Sequence, residues 1–454
     1  MQIRKNLFAV SSFLFLISVL FFSYGCANQV KLTSKAGYSE ILPLRERAKI
    51  QNDWLRWRFD NILPAIMKEA DIDLWLVIQR EYDEDPLFFT LVSQPTITSY
   101  RTTILILHDK GDGTVERLSA SDHPQASGYR NVWTDKSKEQ FANLADVIKQ
   151  INPRKIGIDI SENWHLADGL NFTLKQRLEN ALGPEMSKEL VSAEKLCIDW
   201  LQTRSPQEIE TYKILSRITH KISSELAAAN IIKPGVTTTD DVRWWLRQRT
   251  LDLGIENWFH PICDIQRTKK DAEKYKQSSN IIHRGDLVHI DFGIKYLGLC
   301  TDTQFHFYIC RENETDAPEG LKKGLKITNE FGQTIMGEFK DGRNGDEIGK
   351  AAMEKAKKAG INSVIYSHSI GTYGHSAGLR LETRPRESAG VGSYERTFYP
   401  LKLNTVYAIE FHCSFNVPEW DNQQVQISFE DNAAFTKDGC RLIDGCQQQF
   451  FLIK

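Results

Sequence analysis

Nowhere in its 454 residues does the chain carry a CxxC pair or a cysteine–histidine spacing that suits a zinc finger. It also lacks an excess of either charge: 57 basic side chains meet 59 acidic ones, for a formal charge of −2. Phosphate affinity comes from clustered Lys and Arg, so no nucleic-acid partner is expected. Repeats and low-complexity tracts are absent, which excludes solenoid, collagen-like and wholly disordered chains. Eight cysteines are too few to staple a chain of this length together. What remains is an ordinary globular composition, 41% apolar and 10% aromatic, at a length that predicts two domains.

The N-terminus departs from that average. Arg4 and Lys5 precede an apolar run from Leu7 to Phe22, and Met1–Gly25 contains no acidic residue. The run is short for a membrane span but suits the central region of an export signal. It ends in Ser23-Tyr24-Gly25-Cys26, which resembles a bacterial lipoprotein signal. That resemblance implies cleavage after residue 25, acylation of Cys26 and a membrane-anchored location in the periplasm or at the cell surface. An ordinary cleaved signal or a single anchor helix is the alternative. Residues 26–40 then form a polar tether. Among the other cysteines, Cys440 and Cys446 flank the Asp444-Gly445 turn and are the expected local disulfide.

The mature chain reads as two parts. Over residues 41–200, a helical stretch from Arg45 to Ala70 precedes three short apolar runs, Leu74–Ile78, Thr103–Leu107 and Ile156–Ile160. Such β-branched runs separated by helical stretches predict an α/β domain. Ser205-Pro206-Gln207-Glu208 has the residues of a capped helix start, and Leu215, Ile218, Ile222 and Leu226 recur at helical spacing. Residues 201–454 therefore form the second part, opened by a long amphipathic helix.

That second part holds the residues with chemistry. Asp291 ends Leu287-Val288-His289-Ile290, and Asp302 follows Leu299-Cys300-Thr301. A hairpin turning between Tyr296 and Leu297 sets the two aspartates directly opposite each other. Like charges that close are destabilising unless a cation lies between them, although a slipped register would part them. His375 sits among glycines in Gly374-His375-Ser376-Ala377-Gly378, while Glu410 and Glu430 end apolar strands. Two aspartates, a histidine and two glutamates suit two hard or borderline divalent cations.

In order and spacing these five residues resemble the pita-bread (M24) metallopeptidases, the family of methionine aminopeptidase, Xaa-Pro aminopeptidase and prolidase. The resemblance implies a creatinase-type N-terminal α/β domain followed by an α+β pita-bread catalytic domain. It implies Asp291, Asp302, His375, Glu410 and Glu430 as ligands to two metal ions: manganese first, with cobalt, zinc or iron as alternatives. Metal-dependent hydrolysis of short peptides from the N-terminus follows, with Xaa-Pro specificity and a homodimer as further implications. The family carries a histidine 17 residues before the first aspartate, where Lys274 stands, and another seven after the metal histidine, where Glu382 stands. Glu382 and His260 are accordingly candidates for substrate contact. Glu410 is a candidate proton acceptor and His368 a candidate for stabilising the oxyanion.

Two rivals stay open. Gly374–Gly378 also fits a G-x-S-x-G elbow, which would make Ser376 a nucleophile. The displaced family histidines also fit a surface binding protein on a decayed peptidase scaffold.

Overall fold

The computed structural model describes residues 37–121, 128–228, 230–388 and 394–454. The expected signal and the Cys26 acylation site lie outside these residues. Glu40–Lys454 forms one compact unit. None of its described helices is long and apolar enough to cross a membrane.

β1 (Leu74–Arg80) lies inside a six-stranded sheet. β2 (Thr102–Asp109), β3 (Val115–Ala120) and β4 (Arg130–Asn131) extend it on one side, β5 (Ile156–Ile158) and β6 (Leu190–Ser192) on the other. The β1 run is unbroken because both faces of the sheet are covered. Leu74, Leu76 and Ile78 pack with Phe141, Leu144 and Leu178 of the helices Gln140–Ile151 and Phe172–Met186. Trp75 and Val77 meet Phe59, Ile66 and Leu196 of Leu44–Asn61, Leu63–Ala70 and Glu194–Gln202. The single helix expected from Arg45 is thus two helices. Pro64, lacking an N–H, marks the break at the start of the second.

At the joint between the halves, Ser205 and Glu208 cap the helix Pro206–Ala228 reciprocally, at 2.6 and 3.1 Å. The buried Glu208 carboxylate also takes Arg58 at 3.1 Å and Arg204 at 3.0 Å. This ion triad ties the helix Leu44–Asn61 of the first half to the helix Pro206–Ala228 that opens the second. Ala377, Tyr373 and Tyr399 also join the apolar cluster of the first half.

The second sheet has nine strands. Its path begins with β7 (Ile262–Gln266) and β8 (Leu287–Phe292), followed by β11 (Thr303–Ile309), β15 (Gln423–Thr436), β14 (Thr405–Val417) and β12 (Asn362–Ile365). β13 (His368–Ile370) pairs with β14, β16 (Gly439–Leu442) with β15, and β17 (Phe451–Ile453) with β11. Ile409, Phe411 and Phe429 pack on Phe331, Ile335 and Ile348 of the helices Glu319–Met336 and Gly345–Lys358. The period of two then turns Glu410 and Glu430 to the opposite face, where they stand directly across from each other.

Three expectations need correction here. Neither glutamate ends its strand, because β14 runs on to Val417 and β15 to Thr436. The hairpin after β8 turns at Leu297-Gly298, whose φ angles of 53° and 75° suit a tight two-residue turn. Between β9 (Lys295–Tyr296) and β10 (Leu299–Cys300) the pairing is Tyr296↔Leu299, so Asp291 faces Gln304 and not Asp302. Finally, all seven described cysteines are free thiols. Cys440 and Cys446 pack into the apolar cluster beneath β14 and β15, and no bond joins them.

Candidate metal centre

Five strands deliver the acidic cluster. Asp291 lies on β8, Asp302 immediately before β11, Glu430 on β15, Glu410 on β14 and His368 at the start of β13. Nε2 of His368 lies 3.6 Å from Asp302 and 3.9 Å from each of Glu410 and Glu430. Asp302, His368 and Glu430 offer ligand atoms within 4.8 Å of one another, as do Asp291, Glu410 and Glu430. Glu430 belongs to both sets and so stands between two positions for a cation.

The electrostatics give the same account. Burial raises the pKa of Asp291, Asp302, Glu410 and Glu430, that of Asp302 to about 8. Mutual repulsion adds to the rise for Asp291, Glu410 and Glu430. Burial also pushes His368 down to about 4, so its imidazole is neutral and able to donate a lone pair. Oδ1 of Asp291, Oδ1 of Asp302, Oε1 of Glu430 and Nε2 of His368 are buried without a hydrogen-bond partner. Buried polar atoms are ordinarily satisfied, so four orphans in one cluster call for a common partner. Oxygen donors with one imidazole suit a hard or borderline divalent cation, and the residues therefore fit a metal.

The four carboxylates expected from the sequence are brought together, and the histidine is not the expected one. His375 lies outside both ligand sets, with its ring 4.8 Å from that of His368 and 5.3 Å from that of Trp258. The glycine before it has a packing cause. A Cβ on Gly374 would come within 2.3 Å of the Trp258 ring, itself fixed by an indole hydrogen bond of 2.8 Å to the Thr301 carbonyl.

The other candidates sit elsewhere. His260 is exposed, leans on Trp244 and belongs to neither ligand set. The Glu382 carboxylate is fully covered and ion-paired with Arg384 at 2.7 Å and Arg380 at 3.2 Å. Lys274 ends an exposed six-residue helix. The strand flanking β8 is β7, where Asp264 faces His289. The Ser376 hydroxyl is buried without a partner, and five residues separate it from β13, so no strand–elbow–helix exists there.

Sequence reasoning missed two neighbours. Gln304 follows Asp302 by two positions and so shares its face, a signal available from strand periodicity. Tyr366 places its ring under the Arg384 guanidinium, 4.9 Å away, and its hydroxyl 3.5 Å from His412. Burial, then the charges of Glu410, Glu430 and Asp291, raise the pKa of that hydroxyl, which stays protonated.

Comparison with known proteins agrees with this geometry. A methionine aminopeptidase of Thermococcus onnurineus is 27% identical over 188 residues, 40% of this chain and 56% of that protein. The chain thus spans about half the length of the curated relatives it matches. Among solved structures, an X-Pro aminopeptidase from Thermotoga maritima superposes with a TM-score of 0.61 at 17% identity, covering 86% of this chain and all of that one. The N-terminal domain of a FACT complex subunit from Cicer arietinum (chickpea) superposes at 0.54 with 14% identity, covering 90% of this chain and 98% of that one. Likeness at such identities fixes the fold alone. Residues 210–437, half of the sequence, match the family described as Metallopeptidase family M24, and the chain belongs to that family.

Proposed function

We propose that the protein hydrolyses short peptides from their N-termini in an Xaa-Pro aminopeptidase-like reaction, with two divalent cations, manganese first, held by Asp291, Asp302, His368, Glu410 and Glu430. The observation that carries this reading is the set of four orphaned ligand atoms spread over two adjoining ligand sets that share Glu430. Cations in such a set supply Lewis-acid activation of water and of the scissile carbonyl.

The residues around the set do the rest. Glu410 is half-buried and lies at the edge of the cluster, where it can take the proton of an attacking water. Reading His368 as the ligand gives the sequence His368-Ser369-Ile370-Gly371, with His375 seven residues further on. This supports His375 in the place of the family histidine that strict counting assigned to Glu382. Partial desolvation, then His368 and the guanidiniums of Arg380 and Arg396, lower the His375 pKa. A neutral imidazole beside the cluster is suited to hold a substrate amide or carbonyl. We also propose export and anchoring through acylation at Cys26, which labelled palmitate would report in the native chain and not in Cys26→Ala.

Purified protein incubated with short peptides, with and without proline at the second position, tests the activity. Release of the first residue, abolished by chelator, restored by manganese and unchanged in Ser376→Ala, is expected. Turnover that resists chelation and vanishes in Ser376→Ala would overturn the reading in favour of a serine hydrolase. Metal uptake with no turnover on any peptide would favour a binding protein.

A further inference from the structure

One rung of the second sheet crosses four adjacent strands. Asp291 on β8 pairs with Gln304 on β11, Gln304 with Glu430 on β15, and Glu430 with Glu410 on β14. Side chains on one rung share a face, and neighbouring strands lie about 4.8 Å apart. Three carboxylates therefore stand in a row with a single amide between them.

The amide is fully engaged. Nε2 of Gln304 donates to Oε1 of Glu410 and to Oε2 of Glu430, both at 2.9 Å. Its Oε1 lies 2.8 Å from Nε2 of His289. Carboxylates only accept, so turning the amide over would set its oxygen against two of them. The orientation is thereby fixed, and His289 must be the donor through Nε2. With Oε1 of Glu410 and Oε2 of Glu430 committed to the amide, the other oxygen of each is the one that faces His368, at 3.9 Å. For Glu430 that oxygen is also the orphaned one.

We propose that Gln304 is a positioning residue that selects which oxygens of Glu410 and Glu430 face the cations, and that His289 locks Gln304 in that orientation. The proposal rests on the metal-centre reading. It makes the pair His289–Gln304 an outer support of the ligands, and loss of such supports costs about 10–100-fold in metal affinity. His289 acts only through Gln304, so the two effects should not add.

Cobalt(II) titration of the full chain, followed by calorimetry and by the visible absorption of the bound ion, tests this directly. Gln304→Met is expected to weaken cobalt binding about 10–100-fold and to change the absorption band. His289→Leu should act in the same direction, His289→Gln should restore affinity by keeping an N–H donor, and the double variant Gln304→Met with His289→Leu should be no worse than Gln304→Met. Should Gln304→Met fail to fold, the His289 pair decides the question alone. Cobalt bound equally by the native chain and by Gln304→Met overturns the proposal and leaves the metal centre standing. Equal affinities for His289→Leu and His289→Gln remove the locking role. No cobalt on the native chain overturns the metal centre and this proposal with it.

Discussion

Beside the first sheet Asp85 and Asp159 are buried neighbours, and beside the second Asp291 and Asp302 are too, yet the two pairs are built differently. Asp159 is surrounded by donors, with the Trp75 indole at 2.7 Å and the Cys197 thiol at 3.2 Å, while Asp85 accepts from the Leu87 amide at 2.8 Å. The backbone of Gly169 presses on Asp85 so closely that a Cβ there would lie 2.2 Å from its carboxyl. Burial raises both pKa values, that of Asp159 to about 6, and the charge of Asp159 raises that of Asp85 further. Neither acid belongs to a set of described residues able to hold a cation. Each acid of that pair keeps one buried oxygen without a partner, as Asp291 and Asp302 do, but only around Asp291 and Asp302 do two more carboxylates and an imidazole converge. Buried acid pairs alone do not mark a metal site. Further carboxylates and an imidazole converging on the pair do.

The contrast is broken most severely by exchanging the roles. Asp302→Asn should remove bound metal and peptide hydrolysis together, by more than the ~100-fold that outer-shell changes cost. Asp159→Asn should leave metal content and turnover unchanged. Metal analysis and a kcat/KM measurement on both variants check this.

The next effect concerns the seam between the two regions. Glu208→Gln leaves the Arg58 and Arg204 guanidiniums buried without their counter-charge, and about 3–5 kcal/mol of stability should be lost. Urea unfolding followed by Trp fluorescence measures it, and one transition is expected because the halves share a core.

A smaller effect distinguishes the pairs by pH. The Asp159 pKa is higher in the folded chain than in the unfolded one, so its contribution is fully present below about pH 4 and is lost as pH rises through about 6. An amide at this position removes the buried negative charge at every pH. Asp159→Asn should therefore match the native chain near pH 4 and exceed it by about 1–3 kcal/mol at pH 8. Urea midpoints at the two pH values would show it.

The smallest effect lies beside the metal cluster. His220 is held 2.9 Å from Asp431 and 3.4 Å from Asp444. Burial lowers its pKa, but the two carboxylates outweigh burial and the net shift is upward. Its stabilisation is present below about pH 6.5 and is lost as pH rises through the folded value. His220→Gln should flatten that loss, by up to about 1 kcal/mol in thermal melts across pH 6–9.

The carboxylates were legible because strand periodicity and order carry them, whatever the loops do. Leu74–Ile78 and Thr103–Leu107 were legible as strands for a similar reason: both faces are buried, so the apolar run is unbroken. β3 was not, since Val115-Glu116-Arg117 at its start is polar and half-buried. The histidine that joins the cluster was hidden because counting along the chain cannot tell which end of a loop meets the carboxylates. His368 enters on a strand paired with β14, whereas His375 is set aside by Trp258. The hairpin register failed for a local reason. Two positive φ angles at Leu297-Gly298 move the turn by one residue, and Gln304 takes the place opposite Asp291.

The central claim is that four buried carboxylates and His368 are a ligand set and not a proton-sharing core. Metal content after dialysis against manganese, compared between the native chain and Asp302→Asn, tests it most directly. Two divalent ions per native chain and their loss in the variant are predicted. A native chain that takes up none, or an Asp302→Asn chain that keeps both, would contradict it.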